Sequence, residues 1–522
     1  MENEIDLEIN SKIEFILKLM ISLSCPALTI ILSTRFFITG VIVGAFYALA
    51  LAILLLFGSN IRITTINKKN CIVSCIISCY MMKVFFNYTI RIISDIYSIN
   101  INIINTFLGL FALPAVIFLV YKFIEIIVPK VKKFFITLTS VEIEYLHIIL
   151  IVSIIVSFFT IHSTTAFTKP GDIDVIYTSD SLDLLIKDVY CNVSHNENDL
   201  RQPLFGVFAL PFGVLAKIIS EFIFFIPRDY AYEAVMTVFQ FIITTITTIL
   251  IARLMKVEEK DKKYLYMLFS LSFPYLIFNL VLEQYVIALF YLILTIYMFY
   301  NYDGVNYAYL GATGTLVTSG ILFPFITKFK NIKQYAKDIL ESLIIFISIF
   351  VISGQFSQIL NFERTMMSLL KFAKPLPLTD KLCQFLNFVQ SIFFSCEGEI
   401  IGHRYWLQEV ESISVIGIIL LVIMVISFII NRKDSFAKLS FCWIIFSILI
   451  LVIVGWGTTE NGLILYSLYF AWAFLSLYYL FLKKMCKNRK IFITLLLITI
   501  LIMAIFNFKE FLNILIFAIK YH

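Results

Sequence analysis

Runs of Ile, Leu, Phe and Val long enough to cross a bilayer recur along the whole chain, and short loops rich in Lys and Arg separate many of them. A hydrocarbon core about 30 Å thick takes about 20 apolar helical residues to cross. No water is available there to bond peptide groups, so a span of this kind is an α-helix. The composition agrees: of 522 residues, 60% are hydrophobic and 15% charged, and the mean hydropathy is +0.94. Soluble domains carry roughly 45–50% apolar and about 25% charged residues, which excludes that class. The chain is expected to be an all-α polytopic membrane protein, and its heavy use of Ile, Lys, Asn and Phe, as in AT-rich bacterial genomes, suggests a bacterial cell membrane.

A net charge of +6 invites a nucleic-acid partner, so its distribution matters. The positive residues gather between apolar runs, as at Lys130, Lys132 and Lys133, at Arg253, Lys256 and Lys260, and at Lys483, Lys484 and Arg489. Loops of this kind stay in the cytoplasm. The basic excess is therefore topological, and no nucleic acid is expected.

Spans are predicted near 13–34, 36–57, 72–93, 102–121, 144–163, 233–254, 264–280, 283–300, 340–355, 413–431, 437–455, 463–481 and 489–507, about thirteen in all. With the basic loops inside, the amino terminus is cytoplasmic and the stretch after 163 is exterior. The opening "MENEIDLEINSKIEF" is acidic where a signal peptide would be basic, so no cleavable signal is expected. Segment 203–226 cannot cross without putting "RLMKVEEKDKK" outside; Pro203, Pro211 and Pro227 favour a juxtamembrane helix on the exterior face instead. Segment 306–327 reads as a re-entrant pair folding at Thr318 to Gly320, and 356–412 as an exterior loop. The expected domains are a four-helix module over 1–134, a core over 135–355, that exterior loop, and carboxyl-terminal helices over 413–522.

Nine cysteines are scattered, several inside apolar runs where Cys acts as a small hydrophobe. Cys71, Cys75 and Cys79 share a helix face but lack the further ligands of a metal site. Cys191, Cys383 and Cys396 fall in expected exterior loops, where a disulfide is chemically allowed.

The acids are less scattered. Asp172, Asp174, Asp180, Asp183, Asp188, Glu197 and Asp199 lie between one apolar run and the next, followed by Arg201 and Gln202. For any one of these acids a solvated loop is the default reading. Two further exterior mouths carry Glu283, in "NLVLEQYVIALFYL", and Glu460, in "GWGTTENGLILYSLYFAWAF". A carboxylate flanked by such apolar residues usually faces a cavity or the bundle interior. Three polar mouths on one face point to a shared exterior site, with His403 and Arg404 of "GEIIGHRYW" as further candidates. For these last two, anchoring of the loop to lipid headgroups weighs equally.

The order of parts resembles the GT-C superfamily of integral-membrane glycosyltransferases. "YTSDSLDLL" stands in the first exterior loop, and "DLRQPLFGVFALPFG" opens a juxtamembrane helix. The span "AVMTVFQFIITTITTILIARLM" ends in basic residues, and "LFSLSFPYLIFNLVLEQYVIALFYLI" places Pro274 and Glu283 where members carry a "SP...E" pattern. The likeness covers roughly 144–507, and Gln202 stands where many members have His. It implies transfer of a sugar from a polyprenyl-phosphate donor to a glycan, lipid or protein acceptor at the exterior face, by a single inverting displacement. Asp180 is then the first choice for general base, with Asp174 and Asp199 in reserve. Arg201, followed by Lys217, would stabilise the departing phosphate; Gln202, Glu283, His403, Arg404 and Glu460 would bind substrate. Some members need a divalent cation and others do not; Asp180 and Glu283 alone offer a partial oxygen set, so no metal is predicted. The first four spans match no part of the pattern. A secondary transporter or lipid flippase is the rival class, disfavoured by acids at one face instead of along a path and by the lack of an inverted repeat. A polysaccharide polymerase or ligase of the cell envelope would share the substrate class.

Overall fold

The computed structural model describes residues 6–32, 38–58, 65–97, 101–167, 175–177, 179, 185, 188–193, 201–328, 331–355, 363, 367, 373, 375–407, 413–457 and 463–522. About 79% of the described residues are helical. Among the described residues, 8 helices are long and apolar enough to cross a membrane. The chain is thus an all-α, multi-pass membrane protein.

It divides into two compact units, one of residues 1–138, 189–214 and 313–365, the other of 139–188, 215–312 and 366–522. The first therefore joins the amino-terminal helices to two later segments that sequence reading assigns to the core. It contains α1 (Ser11–Leu32), α2 (Ile38–Gly58), α3 (Lys68–Tyr97) and α4 (Ile101–Ile136), with α1 packed on both α2 and α4, and α3 on α4. Their seam is built from Leu28, Ile31, Ala52, Met82, Phe85, Ala112, Ala115 and Val116. Alanines there let helices approach closely where lipid supplies no hydrophobic drive.

In the second unit, α5 (Ser140–Ser163) starts at a capping box: the Thr139 hydroxyl accepts from the Glu142 amide, and the Glu142 carboxylate accepts from the Thr139 amide. The helix α6 (Phe205–Ser220) begins in the first unit and ends in the second, where a juxtamembrane helix is expected over 203–226. Next, α7 (Arg228–Leu254) packs against α5 and, later in the chain, α10 (Gln284–Asn301).

The expected span 264–280 is not one helix. It is α8 (Glu259–Ser270) followed by the short α9 (Phe273–Phe278). Pro274 explains the break, because it has no amide to donate back to the Ser270 carbonyl, whereas in the first turn of α9 that amide is not needed. Segment 306–327 breaks as well, into α11 (Ala308–Thr315) and a 3₁₀ stretch at Val317–Phe325, with Leu316 extended between them. That break falls just before the expected fold at Thr318 to Gly320. After α12 (Ile332–Ile352), the expected exterior loop contains structure of its own: α13 (Leu378–Phe393) buries Phe385, Phe388, Val389 and Ile392, and a hairpin pairs β1 (Gly398–Ile401) with β2 (Arg404–Leu407). An amphipathic helix of this kind has too few consecutive apolar residues to register as a span, which is why hydropathy reads it as loop.

The remaining helices are α14 (Val415–Ile430), α15 (Ser435–Ile448) with a π-helical turn at Leu449–Val454, α16 (Ser467–Met485) and α17 (Arg489–Tyr521). Gly417 lets α14 lie against α13: a Cβ there would sit 2.0 Å from the Leu386 carbonyl oxygen.

Candidate functional site

Asp174, Asp180, Asp199 and Glu460 lie outside the described residues. Of the other candidates, Arg201 and Gln202 belong to the first unit and Glu283, His403 and Arg404 to the second. The Arg201 carbonyl accepts from the Val317 amide at 2.7 Å, and the buried Gln202 opens α6 by accepting from the Phe205 amide. His403 lies in the hairpin turn and Arg404 opens the strand after it. The exposed His403 ring lies near the rings of Tyr521 and His522, and the Arg404 guanidinium rests on Trp406, 5.9 Å from its centroid. The structure thus brings together two pairs of chain neighbours and sets Glu283 on an element of its own.

Glu283 is the most constrained of the five. It is 1% exposed and is the residue before α10, so it stands at the positive end of that helix while its backbone is still extended. Residues 279–283 between α9 and α10 are not helical, and their backbone groups need partners at this depth. One side chain supplies two of them, along with the last carbonyl of α9. Gln240, on α7, donates its amide to the carbonyls of Phe278 and Val281 and accepts the Glu283 amide at 3.1 Å. The other break in this span is held in the same way: Asn507, on α17, donates to the carbonyls of Leu271 at 2.7 Å and Phe393 at 2.9 Å, and accepts from the Ser395 amide. Two carboxamides therefore fix a discontinuous span whose upper end presents Glu283. Gln240→Leu should cost about 1–3 kcal/mol by stranding those groups. Thermal unfolding in detergent would register the loss, and a midpoint equal to wild type would show that Gln240 does not hold the break.

The same face of α7 carries further polar groups. Glu233 and Gln240 are seven residues apart, two helical turns on one side, and Thr237 and Thr244 follow each of them by four. All four are buried. At the start of α7, the Tyr232 hydroxyl donates to Asp188 at 2.8 Å, and the Lys217 ammonium pairs with the same carboxylate while lying 5.2 Å from the Tyr232 ring. Sequence reading offered Lys217 as a second donor for a leaving phosphate. In the structure its ammonium pairs with the nearly buried Asp188 carboxylate.

Sequence reading missed Gln240, Asn507 and Glu510. Glu510 is buried on α17 and accepts from the Tyr405 hydroxyl at 2.6 Å, the Gly398 amide at 3.0 Å, the Asn513 amide nitrogen at 3.1 Å and the Tyr177 hydroxyl at 3.4 Å. A polar residue inside an apolar run was the available signal for the two carboxamides. All nine cysteines are free thiols, and burial pushes Cys396 up to about 12, so it is protonated and unreactive at neutral pH. Among the described residues, no group of three or more His, Cys, Asp and Glu is placed to hold a metal ion.

Among protein-family models, curated proteins and solved structures, none matches this chain, which leaves its own chemistry to speak for its role.

Proposed function

We propose that this protein is a membrane glycosyltransferase of about thirteen spans with a GT-C-like core, its amino terminus cytoplasmic and its active site exterior. The observation that carries the reading is Glu283, a buried carboxylate presented by a broken span that Gln240 clamps. Buried acids in spanning segments are costly and as a rule functional. The motif order from "YTSDSLDLL" through "DLRQPLF" to Pro274 and Glu283 supports the same reading.

In the reaction, an acceptor hydroxyl oxygen attacks C1 of a sugar held on polyprenyl phosphate. The bond from C1 to the phosphate oxygen breaks with inversion, and the hydroxyl proton passes to the Asp180 carboxylate. Polyprenyl phosphate leaves with the bonding electron pair, stabilised by Arg201. Glu283 orients the acceptor; a divalent cation remains an optional partner. The acceptor is a glycan, a lipid or a protein, and surrounding lipids admit the polyprenyl tail.

A second reading, a transporter or flippase of lipid-linked sugars, draws on the two discontinuous segments around 271–283 and at Leu316, since transporters build sites at such breaks. Purified protein in proteoliposomes containing a polyprenyl-phosphate hexose separates the two. Cleavage of the sugar–phosphate bond with transfer to an acceptor is expected. Movement of intact donor between leaflets would favour the transporter, and accessibility of residues 164–202 from the cytoplasmic side would defeat the proposed mechanism.

A further inference from the structure

Tyr177 has a conformation that its own chemistry does not favour. Its φ is +51°, in the left-handed region where a Cβ crowds the following carbonyl, and its side chain is fully buried. Such a residue persists only where its surroundings hold it, and residues of this kind cluster at functional sites.

The surroundings are specific. The Tyr177 amide donates to the Tyr405 carbonyl at 2.9 Å, and the Tyr405 amide donates to the Val175 carbonyl at 2.8 Å, so Ile176 pairs in parallel with Tyr405 of β2. The Ser179 amide then closes a turn onto the Ile176 carbonyl at 3.0 Å. The Tyr177 ring packs edge-on to Tyr405, with centroids 5.7 Å apart, and to Phe273, the first residue of α9, at 6.3 Å. Both tyrosine hydroxyls converge on Glu510. Burial, with the Glu510 carboxylate beside them, holds both hydroxyls well above the usual tyrosine range, so both stay protonated and donate.

We propose that Glu510 is a positioning residue: through Tyr177 and Tyr405 it fixes residues 175–177 against the hairpin and the broken span, three positions before Asp180 in the chain. The inference rests on the glycosyl-transfer reading for what Asp180 does. That Glu510 holds the segment is independent of it. A carboxylate serving packing alone would need no contact with 175–177; this one bonds the hairpin at two points and the loop at a third.

The test compares full-length wild type with Glu510→Ala, Glu510→Gln and Tyr177→Phe in lipid nanodiscs, by amide hydrogen exchange and by transfer kinetics. In Glu510→Ala, exchange over 175–179 should rise about tenfold or more while α7 keeps its protection, because only the local opening becomes easier. Its kcat should fall about tenfold with the donor KM unchanged, as misplacement of a reacting group predicts. Glu510→Gln, which keeps an acceptor oxygen, should recover part of both effects, and Tyr177→Phe should reproduce them in weaker form. Unchanged protection over 175–179 overturns the proposal, as does an unchanged kcat in a variant whose segment has been released. Absence of transfer by the wild-type protein overturns the glycosyltransferase reading instead, and the exchange comparison still decides whether Glu510 holds the segment.

Discussion

Glu142→Ala is expected to destabilise the second unit by about 3–5 kcal/mol, the usual cost of breaking a buried ion pair by removing one partner. Glu142 is 0% exposed and receives two cations from other helices. The Arg253 guanidinium binds it through two nitrogens, at 3.0 and 2.6 Å, and the Lys262 ammonium through one, at 2.9 Å. Both cations are themselves largely buried, so truncating the acid takes the shared carboxylate from Arg253 and leaves Lys262 with the half-exposed Glu259, 2.6 Å away. Glu142 also closes the capping box that starts α5, so the same change exposes the Thr139 amide. Thermal unfolding in detergent should show a midpoint lowered by more than about 5 °C. The triple variant Glu142→Met, Arg253→Met, Lys262→Met should recover much of the loss, because replacing a whole buried ion cluster by apolar residues is often neutral or stabilising. A single variant that melts with wild type would mean that the cluster contributes nothing to stability.

That cluster illustrates what the sequence could and could not yield. Arg253 and Lys262 were legible as members of a basic loop, and the loop correctly marked the end of α7. Nothing in the sequence said that they turn inward, because their partner lies more than a hundred positions earlier. The apolar runs were legible for the opposite reason: a span is a local property, decided by about 20 neighbouring residues and the bilayer thickness. Breaks within a span are local too, yet averaging over a window hides them. Pro274 carried the signal for the break before α9, and the average around it stayed apolar enough to suggest one continuous helix. Gln240 and Asn507 were visible as polar residues in apolar runs, but what they clamp is set by how three or four helices meet. Glu510 escaped because the last span was expected to end near 507, whereas α17 continues to Tyr521. At 33 residues that helix is about 50 Å long, well beyond the hydrocarbon thickness, and Glu510 lies in the part past the expected end.

The largest expected effect on activity is that of Asp180→Asn, which should lower kcat for sugar transfer by about 10²–10⁴-fold, the contribution typical of a positioned general base. Asparagine keeps the shape of the side chain and removes the oxygen pair that can accept the hydroxyl proton, so donor KM should change little. The loop around Asp180 holds six other acids between Asp172 and Asp199, which makes the comparison within the loop decisive. Asp174→Asn and Asp199→Asn should remain active if they are solvated loop residues, and Asp188→Asn should act on stability through its contacts with Lys217 and Tyr232 instead of on chemistry. Glu283→Gln should raise acceptor KM more than it lowers kcat, because its assigned task is to orient the acceptor and not to take its proton. With Asp180→Glu, the base returns on a longer arm, and a partial rescue that shifts the acid limb of the pH–rate profile would identify the titrating group. Wild-type transfer by Asp180→Asn would remove it as the base, and loss of transfer in Asp174→Asn or Asp199→Asn alone would move that role to the residue concerned.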